Sequence, residues 1–173
     1  MTEVPADFEP LFRSSPFLEM LGPFFYRRTQ DALVIGLRVQ DKHANARGTA
    51  HGGLLLTLAD IALGYTAACS ADPPLSLTTA NISADFAGHA RAGDWVEAHV
   101  DIQKIGRRLV FANAYLLVGS ERVARASAVF ARNASALAAG QRDSPGHDAA
   151  GAPVAPSEPP RGPVLRDDAG ERR

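Results

Sequence analysis

The chain has 173 residues, 46% hydrophobic and 21% charged, which is enough for one domain with a sizeable core. Its formal net charge of -1 argues against broad nucleic-acid binding, because such binding needs a basic face. No apolar run approaches the ~20 residues that span a bilayer, and the N-terminus lacks the basic and apolar regions of a signal peptide. We therefore expect a cytoplasmic protein with no membrane or nucleic-acid partner.

The first half of the chain alternates short apolar segments with turn residues. Apolar residues within 8–12 have helical spacing and predict a short helix, and those within 17–21 predict a second one that ends before Gly22-Pro23. Two strands are predicted at 24–29 and 33–39, joined by a polar turn at residues 30 and 31.

The segment 52–69 predicts one long helix. It is apolar nearly all round, which is typical of a buried helix, and Pro73-Pro74 prevents its continuation. Alternating or apolar runs then predict four strands, at 78–86, 96–103, 109–118 and 122–132. A buried helix followed by several strands indicates an α+β domain in which the helix packs on an antiparallel sheet.

The composition changes near residue 140. Residues 141–173 hold six of the twelve prolines and no aromatic residue, so they cannot bury enough apolar surface to offset the entropy of ordering. We predict a folded domain at 1–139 and a disordered tail at 140–173.

The start of the long helix carries His51, Gly52 and Gly53. Backbone N–H groups in the first turn of a helix have no intrahelical acceptor, and glycine lets a ligand approach them closely. The helix dipole also favours negative charge there. These properties are those of an oxyanion hole, although most glycine pairs at helix starts are only caps.

Asp60 lies in the middle of this apolar helix. An unpaired buried carboxylate is costly, so the side chain should be hydrogen-bonded or face a solvated cleft. Eight residues separate Asp60 from Gly52, or roughly 12 Å along the axis, so one chain cannot easily bring both to one substrate atom. Two antiparallel helices could, and Gly64, on the same face as Thr57 and Asp60, would allow their close approach. We therefore predict a symmetric dimer with shared active sites.

The motif Asn45-x-x-Gly48-x-x-His51-Gly52-Gly53, then Leu58-Ala59-Asp60 and Thr79-Ala-Asn-Ile-Ser-Ala-Asp-Phe86, resembles hotdog-fold acyl-CoA thioesterases of the phenylacetyl-CoA (PaaI-like) type. The resemblance implies a hotdog fold, an acyl-CoA substrate and a homodimer or homotetramer with active sites at the subunit interface; we expect no cofactor. It also implies the site roles. Asp60 activates water or attacks the thioester, and the N–H of Gly52 polarises the carbonyl. Asn45 positions the reacting groups, and a strand hydroxyl orients the carboxylate or the water. Alignment on Phe86 assigns this hydroxyl to Thr79, whereas counting from Asp60 favours Thr78; we expect Thr79.

A second candidate site lies between two predicted strands, at Gly106, Arg107 and Arg108. Basic residues in a hairpin are usually only solvated. Beside a motif of CoA thioesterases, however, their guanidinium groups suit the phosphates of CoA, and the resemblance implies this contact.

Two other functions remain open. A hotdog protein can bind acyl-CoA without catalysis, because fold does not fix function. An acyl-CoA hydratase or dehydratase would use a histidine near the helix start, which keeps His51 as a candidate catalytic residue. No metal site is expected, because His43, His89 and His99 lack the spacing of ligands and Cys69 is the only cysteine.

Overall fold

The structure is a computed structural model that describes residues 3–29 and 33–133. Its helices are α1 (Pro16–Leu21) and α2 (Gly52–Ala68), and a short 3-10 turn at Asp41–His43 precedes α2. The strands are β1 (Glu9–Pro10), β2 (Phe24–Arg28), β3 (Leu33–Arg38), β4 (Leu77–Phe86), β5 (Trp95–Ile105), β6 (Leu109–Val118) and β7 (Glu121–Arg132). The predicted α+β architecture is confirmed, with most element bounds within two residues of those predicted.

The seven strands form one antiparallel sheet in the order β1-β2-β3-β5-β6-β7-β4. Helix α2 packs across one face of this sheet, against β3 to β7. That face is rich in alanine, and small side chains let the helix lie close to the strands. The buried alanines are Ala98, Ala112, Ala114, Ala124, Ala126 and Ala128. Strand β4 is at the edge, so among the described residues only β7 pairs with it.

The predicted helix at residues 8–12 is wrong. Residues 9 and 10 instead form β1, which pairs with Tyr26 and Phe25 of β2, and the N–H of Leu11 donates to Phe24. Proline has no N–H to donate and its ring disfavours a helix interior, so Pro10 favours an edge strand here. Phe8 packs edge-on against Trp95, 5.0 Å between ring centroids, and this contact holds the segment on the sheet.

Three predictions concern residues outside the described ranges. The turn at residues 30 and 31, the domain limit at residue 139 and the disordered tail at 140–173 therefore stay predictions. Within the described residues, no helix has the length and hydrophobicity needed to cross a membrane.

Candidate active site

Asp60 is half-buried in the middle of α2 and faces β4. Its Oδ1 accepts a hydrogen bond of 3.0 Å from the hydroxyl of Thr79. No described residue donates to Oδ2. Thr78, the alternative suggested by counting from Asp60, is instead paired with Asn133. One carboxylate oxygen is therefore held in place while the other remains available for chemistry.

A bulge in β4 places Thr79 on the side of the helix. Thr79 pairs with Phe130 of β7, but Asn81 pairs with Val129, so Ala80 is an extra residue without an opposite partner. Side chains of a regular strand alternate between faces, and an extra residue reverses that alternation. Thr79 and Ile82 consequently face the same cleft, although they are three positions apart along the strand.

Asp60 and Thr79 open into a cleft of about 630 Å³ between α1, α2 and β4. Thr57 and Gly64 also line it, so the predicted helix face is exposed to one cavity. The nearest neighbour of Gly64 is Phe130 of its own chain, which a Cβ would meet at 3.5 Å. More than half of the lining residues are aliphatic or aromatic, namely Phe17, Leu18, Leu56, Ile61, Tyr65, Ala68, Leu75, Leu77, Ile82 and Phe130.

The start of α2 lies outside this cleft. His51 is the N-cap residue, and its Nδ1 accepts a hydrogen bond of 2.9 Å from the N–H of Gly53. The N–H of Gly52 has no acceptor among the described residues, and the ring of Phe86 lies about 3.4 Å from where a Cβ of Gly52 would be. Of the two predicted donors, only Gly52 is therefore free to bind a ligand oxygen.

Asn45 organises the loop before α2. Its Nδ2 donates to the hydroxyl of Thr49 at 3.0 Å, and its Oδ1 accepts from the N–H groups of Arg47 and Thr49. Gly48 completes the turn with φ of 73°, a conformation that glycine adopts without strain. Asn45 therefore shapes the approach to the helix start, and the structure does not bring it to the Asp60 cleft.

The second predicted site is a tight hairpin between β5 and β6. The N–H of Gly106 donates to the carbonyl of Leu109, and a Cβ at Gly106 would lie only 2.9 Å from that oxygen, so glycine is required. Arg107 and Arg108 are exposed, and their guanidinium groups have no partner among the described residues. They remain available to an anionic ligand.

One wall of the cleft was not predicted from the sequence as part of a site. Phe17 and Leu18 of α1 line it. The 3-10 turn before α2 is hydrogen-bonded to the end of α1. Lys42 donates to the carbonyls of Met20 and Gly22, and His43 Nε2 contacts the carbonyl of Leu21 at 2.7 Å. His43 is buried, and burial lowers its pKa. Its neutral ring accepts from the N–H of Gln40, so this histidine is structural.

Two other predictions concern metals and Cys69. No group of three or more His, Cys, Asp or Glu side chains that could hold a metal ion occurs in residues 3–29 and 33–133. Burial raises the pKa of the Cys69 thiol, the opposite of what a nucleophilic cysteine requires.

Comparison with known proteins agrees with this fold. Residues 47–131, which include Asp60 and Thr79, match the family described as Thioesterase superfamily. The chain is 53% identical over 131 residues to a Pseudomonas aeruginosa protein named putative esterase PA0474, covering 75% of this chain and 98% of that one.

Two solved structures from Thermus thermophilus have the same fold. A variant of phenylacetic acid degradation protein PaaI is 27% identical with a TM-score of 0.60, covering 69% of this chain and 100% of that one. The TT0310 protein is 25% identical with a TM-score of 0.63, covering 70% of this chain and 100% of that one. A long helix on an antiparallel sheet, together with these matches, confirms the predicted hotdog fold. The chain belongs to the thioesterase superfamily.

Proposed function

We propose that this protein hydrolyses acyl-CoA thioesters, with Asp60 as the catalytic carboxylate. The observation that carries the proposal is the contact between Asp60 and Thr79. A carboxylate with Oδ1 fixed by a hydroxyl and Oδ2 open to a cleft has a defined direction of attack. The apolar wall of the cleft suits an acyl chain.

Two routes are open to this carboxylate. As a general base, Asp60 removes a proton from water, and the hydroxide adds to the thioester carbonyl. As a nucleophile, it forms an anhydride that water then cleaves. In both routes the carbonyl oxygen becomes negative, the C–S bond breaks and CoA leaves as the thiol after gaining a proton. Both end in the free acid and CoA.

The developing negative charge needs a donor, and the N–H of Gly52 fits that requirement. It is in the first turn of α2, where the positive end of the helix dipole adds to the hydrogen bond. Within one chain, however, Gly52 and Asp60 are eight residues apart on one helix, or roughly 12 Å. A second copy of the chain must then supply one of them.

The edge strand β4 offers the geometry for that second copy. Thr79, near one end of β4, contacts Asp60, and Phe86, at the other end, lies beside Gly52. If two β4 strands pair antiparallel about a two-fold axis near their middle, the Thr79 end of one lies opposite the Phe86 end of the other. Asp60 of each subunit then approaches Gly52 of its partner. The exposed edge of β4 supports such pairing.

The hairpin at residues 106–108 suits the phosphates of CoA. The N–H of Arg132 in β7 donates to the carbonyl of Arg108, and Arg132 also pairs with Leu77 of β4, which lines the cleft. The hairpin is therefore at the same end of the sheet as the cleft. Unpaired guanidinium groups bind phosphate through parallel hydrogen bonds. We assign Arg107 and Arg108 to this contact.

The alternative of a hydratase or dehydratase is less well supported. His51 uses Nδ1 to accept the N–H of Gly53, and no described carboxylate contacts its ring. A non-catalytic acyl-CoA-binding protein would bind the thioester in the same cleft and would release no thiol from it.

Thiol release from a panel of aromatic, short-chain and long-chain acyl-CoAs, followed with a thiol reagent, tests the proposal. We expect Asp60→Asn to lower kcat by at least ~10²-fold with little change in KM, because the carboxylate acts in the transition state. Asp101→Asn, the same change at an exposed carboxylate of β5, is the matched control and should retain wild-type turnover. Near-normal kcat in Asp60→Asn would remove Asp60 from the mechanism.

A further inference from the structure

Besides Oδ2 of Asp60, the guanidinium of Arg13 and the hydroxyl of Tyr65 line the cleft without a partner among the described residues. Arg13 makes no ion pair and no hydrogen bond among the described residues, although it lines the cleft. Tyr65 of α2 lies with its ring against Phe12, at 5.5 Å between centroids, and its hydroxyl has no acceptor within the described chain. The cleft therefore offers a cation and a hydroxyl donor to a ligand, in addition to the carboxylate of Asp60.

Tyr65 is on the same helix as Asp60 and lines the cleft together with Arg13. It is five residues beyond Asp60 on α2, or about 7.5 Å along the axis. Burial raises the pKa of Tyr65, Arg13 lowers it and Asp60 raises it, so both charges act on this hydroxyl. Because the net direction is upward, Tyr65 is protonated at neutral pH and can donate a hydrogen bond.

The cavity continues past these two residues. A second cleft of about 250 Å³ is also lined by Arg13 and Tyr65, and it extends to Cys69 and Pro74 beyond the end of α2. The guanidinium and the hydroxyl are thus at the junction of two spaces, where the far end of a bound acyl group would lie.

Charge and hydrogen bonding limit which acyl groups suit the larger cleft. Among the described residues that line the larger cleft, Arg13 is the only cation and Asp60 the only acid. Arg13 is exposed and Tyr65 half-buried, so solvent reaches both donors when the cleft is open. A plain hydrocarbon tail lying on them would displace that water without giving either group an acceptor, which is costly. A carboxylate would accept hydrogen bonds from both, and a guanidinium matches its geometry.

We propose that the preferred substrates are dicarboxylic acyl thioesters, whose free terminal carboxylate is bound by Arg13 and Tyr65. This inference rests on the proposed function, since it assigns the acyl group of the same cleft. A site built to bond a substrate's polar group rejects the analogue that lacks it, so the preference over plain acyl chains should be substantial.

Binding can be measured separately from hydrolysis. We use adipyl-CoA and hexanoyl-CoA, which have the same chain length and differ in the terminal carboxylate. Calorimetry on Asp60→Asn, in which the thioesters persist, should give a Kd for adipyl-CoA at least ~10-fold lower than for hexanoyl-CoA, as expected for hydrogen bonds to a charged group. Adding Arg13→Gln should bring the ratio close to one, and adding Tyr65→Phe should reduce it about three-fold.

The matched control is Arg122→Gln, which removes a surface guanidinium that stacks on Tyr115, remote from the cleft, and should leave the ratio unchanged. Equal Kd values for the two esters, or a preference that survives Arg13→Gln, would overturn the inference. Hydrolysis by the wild-type protein is scored independently. Turnover of both esters with no binding preference leaves the proposed function standing and refutes the inference. A preference without turnover refutes hydrolysis and keeps only the assignment of Arg13 and Tyr65 to the terminal carboxylate.

Discussion

Thr79 reaches Asp60 across 3.0 Å because one extra residue, Ala80, interrupts the pairing of β4 with β7. Without that bulge, Thr79 would share the face of Asn81 and Ser83, away from the helix. The hydroxyl that fixes the carboxylate thus depends on an irregularity of the strand. A positioning role of this kind makes a clear prediction.

Thr79→Ala should lower kcat about ten-fold while leaving KM for acyl-CoA within a factor of about two, because the hydroxyl orients a group that acts in the transition state. Thr79→Ser keeps the donor and should restore most of the rate. Thr78→Ala removes the neighbouring hydroxyl, which bonds Asn133, and serves as the control. Equal kcat losses in Thr79→Ala and Thr78→Ala would contradict a specific role for the contact with Asp60.

Arg107→Ala and Arg108→Ala should each raise KM for acyl-CoA about ten-fold with little change in kcat, because a phosphate contact far from the carbonyl contributes uniform binding. The acyl thioester of N-acetylcysteamine lacks the nucleotide phosphates, and its KM should not change. Arg122→Ala is the control for loss of a surface charge. If KM for acyl-CoA stays at the wild-type value in both hairpin variants, these arginines are merely solvated.

The buried His43 should make stability depend on pH. Burial, the largest effect, lowers its pKa; the Leu21 carbonyl raises it and Lys42 lowers it further. As pH falls through about 6.5, the unfolded chain therefore takes up a proton that the folded chain does not. The free energy of unfolding should thus be level above neutral pH and decrease as pH falls from about 6.5 toward the lowered pKa.

Urea unfolding at about pH 7.5 and about pH 5.5, on either side of the unfolded pKa, checks this dependence. His43→Gln should be less stable at the higher pH, since it disturbs the bonds to Gln40 and Leu21, but should lose less stability between the two pH values. His89→Gln changes an exposed histidine and should follow the wild-type profile. If His43→Gln loses as much free energy of unfolding between the two pH values as the wild type does, His43 is not the source of the pH dependence.

The sequence predicted what depends on local periodicity and on a contiguous motif. Helix α2 and strands β4 to β7 followed from apolar spacing, and the contact of Asp60 with a strand hydroxyl followed from the resemblance. A bulge leaves no mark in the sequence pattern, so alignment on Phe86 and counting from Asp60 gave different hydroxyls, Thr79 and Thr78, of which Thr79 was predicted. Periodicity also suggested a helix at residues 8–12, because the pairing of Glu9 and Pro10 with β2 is decided by tertiary contacts.

The position of Arg13 and Tyr65 where the two clefts adjoin could not be predicted for a related reason. The two residues are far apart in sequence and share no motif, so no local pattern predicts that they line one cleft. They line the same clefts because the segment between β1 and α1 folds onto the second half of α2, where Phe12 contacts Tyr65.

The central claim is that each active site combines Asp60 of one subunit with Gly52 of the other. Gly52→Pro removes the N–H at a position suited to proline, since Gly52 is the first helical residue and His51 before it is extended, with ψ of 136°. Gly52→Ala keeps the N–H, and its Cβ would meet the Phe86 ring at an ordinary 3.4 Å, so it is the matched control. Gly52→Pro and Asp60→Asn homodimers should both be inactive, and Gly52→Ala should retain most activity.

The most direct measurement is the turnover of mixed dimers that contain one Gly52→Pro subunit and one Asp60→Asn subunit, purified through two different tags. One of their two sites then has an intact Asp60 and an intact Gly52 N–H, while the other site has neither. A shared site predicts recovery of about half the wild-type turnover per dimer. Mixed dimers as inactive as both parents would contradict the account, because the carboxylate and the donor would then belong to one chain.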